Sequence, residues 1–244
     1  MMVHLPDALT MLIETAIRWF DQRLADGGPR YAEYHPEYII VEPWNAASSV
    51  FMMIPAVFWL WKLWPAEAKK PMMVFALSMV FLGGLGSTLF HAFRMSPAFL
   101  MLDVIPSALL TMGLAVYFWF KILHKWWKVF SLLVPLILLR ILLFRDLPQH
   151  LAINLSYAFS GLLIVVPLTV YLFRTHFRKM NQVGLMLVFF ALALLFRQTD
   201  IHSFGFLPQG THFLWHLFSA LGSYQVLQYL SFTMDYNIET NPPA

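Results

Sequence analysis

Two pairs of polar residues stand four apart in strongly apolar sequence: Ser87 with His91, and His212 with His216. At 3.6 residues per turn, each pair shares one face of a helix. Asp103 follows within the next apolar run. Three neutral imidazoles with one position left open make a standard catalytic zinc set, two ligands coming from one helix at i and i+4 and the third from elsewhere. A haem is disfavoured, because histidines at i and i+4 would meet the same side of the macrocycle.

The chain has no cysteine, so thiol nucleophiles, disulfides and Cys-ligated metals are excluded. In THFLWH the residues between the histidines are Phe213, Leu214 and Trp215, so the glutamate base of an HExxH peptidase is absent. Asp103 is the expected replacement base. Ser87 has two readings. It can serve the site as a hydroxyl donor, or it can join Gly83, Gly84 and Gly86 in a small-residue face for close helix packing.

Such residues need elements to hold them, and the composition says which. Of 244 residues, 59% are hydrophobic and 12% charged, with a mean hydropathy of +0.65. Soluble domains carry about a quarter charged residues, so the expectation is an all-α integral membrane protein. Apolar runs long enough to cross a core ~30 Å thick fall at residues 46–64, 72–93, 98–120, 126–144, 151–173, 181–201 and 213–232. The sixth is the weakest, since its uninterrupted apolar core runs only from Val183 to Phe196, with Arg197, Gln198 and Asp200 after it. Pro55, Pro106, Pro135 and Pro167 lie inside spans, so kinked helices are expected.

The expected organisation is an N-terminal amphipathic and acidic segment over residues 1–44, a seven-helix domain over 45–233 and a tail over 234–244. The first 25 residues mix charges with apolar residues at helical spacing, which reads as a surface helix rather than a signal peptide. The first 42 residues hold seven of the thirteen acids. The pI of 9.2 comes from short loops and is no sign of nucleic-acid binding. Lys69 and Lys70, Lys121, Lys125 and Lys128, then Arg174, Arg178 and Lys179 follow the odd-numbered spans, while Arg94, Arg145 and Arg197 follow the even ones. Basic loops stay cytoplasmic, so the N-terminus is expected outside or in a lumen and the C-terminus in the cytoplasm.

Depth then links the polar residues. His91 ends an outward-running span, Asp103 begins the returning one, and with seven spans His212 and His216 begin the last at the same outer level. With six, they would lie at the opposite face. Asp200 and His202 fall in the outer sixth connection and read as solvated loop residues. His4, His35, His124, His150 and His176 have ordinary surface explanations.

The ordered set Glu42-Pro-Trp-Asn45-Ala-Ala-Ser-Ser49, Gly86-Ser87-x3-His91, Asp103 and His212-x3-His216 resembles the alkaline ceramidases and their CREST-superfamily relatives, over residues 33–225. The resemblance implies Zn2+ on His91, His212 and His216, with Ser87 and Asp103 beside it. It also implies a Ca2+ site for which Glu33, Glu42 and Asn45 are the nearest counterparts, although YAEYHPEYIIVEPWN lacks the fuller acidic set and Tyr31, Tyr34 and His35 are poor calcium ligands. The implied activity is hydrolysis of the ceramide amide bond in a bacterial inner membrane or an endoplasmic reticulum or Golgi membrane. The alternatives are hydrolysis of a GPI-lipid or phospholipid ester, and a non-enzymatic lipid-binding protein similar to the adiponectin receptors. The expected partners are the bilayer and a membrane lipid, with no nucleic acid and no obligate protein partner.

Overall fold

The structure is a computed structural model that describes residues 24–63, 70–147, 149–200 and 207–236. The expected surface helix at the N-terminus, the tail beyond Tyr236, and residues His4 and His202 lie outside the described residues. The helices are α1 (Pro43–Val50), α2 (Ile54–Leu63), α3 (Pro71–Phe93), α4 (Pro97–Leu123), α5 (Trp126–Phe144), α6 (Gln149–Arg174), α7 (Met180–Thr199) and α8 (His212–Asp235). A 3-10 turn over Phe51–Met53 joins α1 to α2, so together they make one broken first span. Pro55 explains the break. It has no N–H to give to Phe51, and the chain tightens by one residue per turn just before it. Pro106, Pro135 and Pro167 lie within helices as expected.

Among the described residues, six stretches are long and apolar enough to cross a membrane: Pro43–Lys62, Pro71–Phe93, Pro97–Leu123, Trp126–Phe144, Leu155–Arg174 and Met180–Thr199. The short apolar core at 183–196 thus belongs to a full-length helix. The last helix, α8, is 24 residues long but is not among the six. Its Ser219, Ser223, Gln225, Gln228, Ser231 and Thr233 dilute an otherwise apolar sequence. It nonetheless runs the length of the bundle. His212 opens it beside His91 at the end of α3, and Asp235 closes it against Lys70 at the beginning of α3, 2.8 Å away. Lys121 donates to Thr233 O at 2.9 Å, and Arg174 donates to Ile122 O at 2.7 Å. Lys70, Lys121 and Arg174, which follow the odd-numbered spans, therefore share one end of the bundle, opposite the histidines.

A core of Trp59, Met73, Leu77, Phe118, Tyr171, Leu227 and Leu230 fills the half nearer the basic end. The outer surface is as apolar as the core: Leu138, Leu139, Ile141, Leu142 and Leu143 of α5 are all exposed. An apolar belt of this extent suits hydrocarbon and not water.

The hairpin from α3 to α4 sets the register of the polar groups. Arg94 caps α3 in the left-handed region (φ 49°), its N–H returning to Phe90 O. Ser96 then caps α4, accepting from Ala98 N at 3.1 Å, and Pro97 takes the first helical position, where a missing N–H costs nothing. Gly86 lets the two helices touch. A Cβ there would stand 2.2 Å from Leu102 O and 2.6 Å from Asp103 N. Gly86→Ala is expected to cost about 1–3 kcal/mol by overpacking two backbones and to pull Asp103 away from Ser87. A lower melting temperature in detergent checks this.

Candidate metal centre

Glu42 stands where the N-terminal segment enters α1, and its own N–H and that of Val41 donate to His91 O and Ala92 O at 3.1 and 2.9 Å. These bonds satisfy carbonyls that the end of α3 leaves open. They also hold the N-terminal segment against His91. Tyr31, from the same segment, stacks on His212 with ring centroids 3.9 Å apart.

His91, His212 and His216 converge beneath this cover. Their ring centroids are 4.7 to 5.1 Å apart, and one nitrogen from each lies within 4.8 Å of the others. All three are buried, at 1%, 2% and 1% exposure. Each ring is held differently. His91 Nδ1 donates to Glu42 Oε2. Ser48 Oγ donates to Asn45 O at 3.1 Å and so can accept from His216 Nδ1 at 2.8 Å. Protons fixed on these Nδ1 atoms leave each Nε2 with its lone pair, the arrangement by which neighbours orient metal-binding imidazoles. His212 Nδ1 is buried with no hydrogen-bond partner among the described residues, and a buried polar atom calls for an acceptor or an ion. The three rings fit a single metal ion held by neutral nitrogen donors.

Ser87 is buried beside them, its Oγ 3.1 Å from Ser49 Oγ, while Ser49 donates to Asn45 O at 2.8 Å and also reaches His216 Nδ1 at 3.2 Å. With the Ser49 proton spent on Asn45 O, Ser49 Oγ is an acceptor and Ser87 is the donor of its own pairings. The Asp103 carboxylate faces it from α4. Both readings of Ser87 thus hold in part. Its neighbours Gly84 and Gly86 make the close packing, against Met53 and against Leu102 and Asp103, and its hydroxyl faces the site.

Glu33, Glu42 and Asn45 also come together, but they do not fit a calcium site. Glu33 accepts from Trp44 N and Asn45 N at 2.8 and 2.9 Å, capping α1. Glu42 accepts from His91, from Asn45 Nδ2 at 3.3 Å and from Arg94 Nη1 at 2.6 Å. Every carboxylate oxygen of the pair is engaged by a protein donor, whereas Ca2+ needs six to eight free oxygens. The cation here is Arg94. It also pairs with Asp26 through Nε at 2.5 Å and Nη2 at 3.1 Å.

Burial pushes Glu42 up to about 8, against the opposing charge of Arg94 and hydrogen bonds from Asn45 and Arg94. Burial likewise raises Glu33, despite its two backbone N–H donors. For Arg94 burial works against the charge, but Asp26 and Glu42 outweigh it and keep its pKa raised. Burial carries the Tyr31 hydroxyl above its ordinary range, so it keeps its proton.

Arg94→Met is expected to destabilise the protein by about 3–5 kcal/mol, because two buried carboxylates lose their counter-charge. It should also weaken the hold of the three histidines on a metal ion by about 10–100-fold through Glu42. Thermal melts and zinc titration of the purified variant check both, and an unchanged melt would show that the pair carries no stability.

Asp200 departs from its reading as a solvated loop residue. It is 1% exposed and accepts from Thr211 N, His212 N and Ala32 N at 2.8 to 2.9 Å. It thereby fixes the start of α8 and ties the N-terminal segment to it. Burial raises its pKa, and the three backbone donors pull the other way. Arg94 was expected in an outer loop and is instead buried. The signal available for it was the cluster of acids before residue 42, which need a cation. His124 and His176 are exposed, as expected.

The sequence matches no protein-family model and no curated protein, so the geometry of three buried histidines beside Ser87 and Asp103 is what a functional reading must stand on.

Proposed function

We propose that the protein is a zinc-dependent lipid amidase of the membrane, similar to the alkaline ceramidases, that hydrolyses the amide bond of ceramide to a sphingoid base and a fatty acid. The observation that carries the proposal is the convergence of His91, His212 and His216, one nitrogen of each within 4.8 Å of the others. Neutral imidazoles favour zinc over the hard cations. Bound zinc supplies Lewis acidity and lowers the pKa of water toward ~7.

The chain's own groups do the rest. Asp103 takes a proton from the attacking water at its carboxylate and delivers it to the departing amine nitrogen. Ser87 turns its hydroxyl proton to the carbonyl oxygen as that atom gains charge. Glu42 and Ser48 hold the His91 and His216 rings in one tautomer. Tyr31 and the segment around it cover the rings and keep bulk water from them.

In this reading the chain crosses the membrane seven times, with the histidines at the outer end. Two observations support it. The last helix, at ~1.5 Å per residue, has 24 residues, enough for a core ~30 Å thick. Arg94, the cation that follows the second span, is neutralised by Asp26 and Glu42. The unpaired positive charge is thereby weighted further toward the other end, which is the cytoplasmic one.

The test is release of fatty acid from labelled ceramide by the purified protein, run beside metal analysis and beside phospholipid and lysolipid substrates. Stoichiometric zinc with ceramide cleavage is expected. A zinc-free active protein would sink the mechanism, and cleavage of the ester lipids alone would move the activity to lipid ester hydrolysis.

A further inference from the structure

Two arginines stand at the histidine end of the bundle, and they are treated very differently. Arg94 is paired with Asp26 and Glu42 and also donates to Pro29 O at 3.0 Å. Arg197, in the last turn of α7, has no hydrogen bond and no ion pair among the described residues. Its guanidinium lies 4.6 Å from the ring centroid of Tyr157 on α6 and 5.8 Å from that of Trp215 on α8, and those two rings meet edge to face at 5.8 Å. The nearest carboxylate in sequence, Asp200, has its oxygens occupied by the backbone N–H groups of Ala32, Thr211 and His212. The cation is therefore held in place by aromatic faces, with no hydrogen-bond partner for its donors among the described residues.

Its position relates it to the candidate chemistry. Trp215 lies between the two histidines of α8 and is nearly parallel to the His212 ring, at 12° and 6.4 Å. Tyr31 covers the other partner surface of His212. Asp103 and the Tyr31 hydroxyl are both within electrostatic reach of Arg197. A guanidinium fork without a hydrogen-bond partner among the described residues, separated from His212 by the Trp215 ring, with an aromatic wall that accepts hydrocarbon, suits a planar oxyanion at the end of an acyl chain.

We propose that Arg197, walled by Tyr157 and Trp215, binds the carboxylate of the long-chain fatty acid product. The inference rests on the amidase reading. In that reaction the C–N bond breaks, a C–O bond forms to the water oxygen, and both water protons end on the amine nitrogen, one during cleavage and one as the acid ionises. At neutral pH the products are thus a carboxylate and an ammonium. Arg197 attracts the first and repels the second, so the sphingoid base leaves first and the fatty acid last.

The test is equilibrium binding of oleate, oleyl alcohol and an oleoyl phosphomonoester lipid to the full-length protein in detergent. Wild type is compared with Arg197→Gln and Arg197→Lys, and zinc is measured in every sample. A charge-assisted hydrogen-bonded pair predicts that wild type holds oleate about tenfold to a hundredfold more tightly than oleyl alcohol. Arg197→Gln should erase that preference, Arg197→Lys should keep part of it, and zinc content should not change. The comparison of oleate with the alcohol on wild type needs no variant, so it stands even if a variant fails to fold. Equal binding of acid and alcohol by wild type, or an undiminished preference in zinc-loaded Arg197→Gln, would overturn the proposal. A phosphomonoester bound more tightly than oleate and lost in Arg197→Gln would overturn the fatty-acid assignment in favour of a headgroup phosphate. Absence of ceramide cleavage would count against the amidase reading and leave these binding results intact, so the two failures are separable.

Discussion

His216→Ala protein, purified and dialysed, should retain less than about a tenth of the zinc of the wild type and release no fatty acid above background. The ring is one of only three donors, it is 1% exposed, and the methyl that replaces it leaves a cavity with no ligand. The side chains that hold it, Ser48 and Ser49, carry hydroxyls that are poor substitutes for imidazole on zinc. A metal bound only to the folded state stabilises that state by mass action, so the variant should melt near the temperature of wild-type protein stripped by a chelator. A melting temperature far below the stripped wild type would trace the loss to misfolding. Stoichiometric zinc in the variant would remove His216 from the ligand set.

Asp103→Asn should behave in the opposite way, keeping zinc while turnover falls by about 10²–10⁴-fold, the usual contribution of a positioned general base. The amide is nearly isosteric and can still face Ser87, and the backbone at Asp103 is locked against Gly86, so the site should keep its shape. What the amide cannot do is accept a proton. Single-turnover release of labelled fatty acid, with zinc measured in the same sample, separates this from loss of metal. Turnover within a few-fold of wild type would take Asp103 out of the role.

Much of the helical layout is legible in the amino acids. Residues 126–144 were bounded by polar sequence on both sides, and α5 has those limits. The other helices differ by a few residues at their ends, where a proline at the first position, as in α3 and α4, extends them outward. The pairing of His212 with His216 also follows from periodicity alone, since i and i+4 must share a face. The break at Phe51–Met53 was less visible, because Pro55 inside an apolar run suits a kink as well as a 3-10 turn.

The carboxylates are where sequence spacing misleads. Glu33, Glu42 and Asn45 sit near one another in the chain and resemble oxygen ligands, but hydrogen-bond accounting decides otherwise. Glu33 is used by the N–H groups that α1 leaves open, and Glu42 is shared between a histidine and Arg94. Arg94 is 52 residues from Glu42 and 68 from Asp26. No local pattern links positions so distant; only the fold of the N-terminal segment over the end of α3 does. Asp200 is a similar case, a charged residue after an apolar run that looks solvated until Gly210 and Thr211 close over it.

Local and cumulative properties are thus written in the chain: hydropathy over twenty residues, helix faces, caps and the absence of thiols. They are enough to specify an all-helical membrane bundle with histidines at a common depth. Which nitrogen each histidine offers, which acid meets which cation, and which arginine lies against aromatic rings depend on contacts between residues dozens to hundreds of positions apart. Those contacts arise because buried polar groups must find partners wherever the packed helices bring them. In this protein the partners were Glu42, Ser48 and Asp26, while Arg197 lies against the rings of Tyr157 and Trp215.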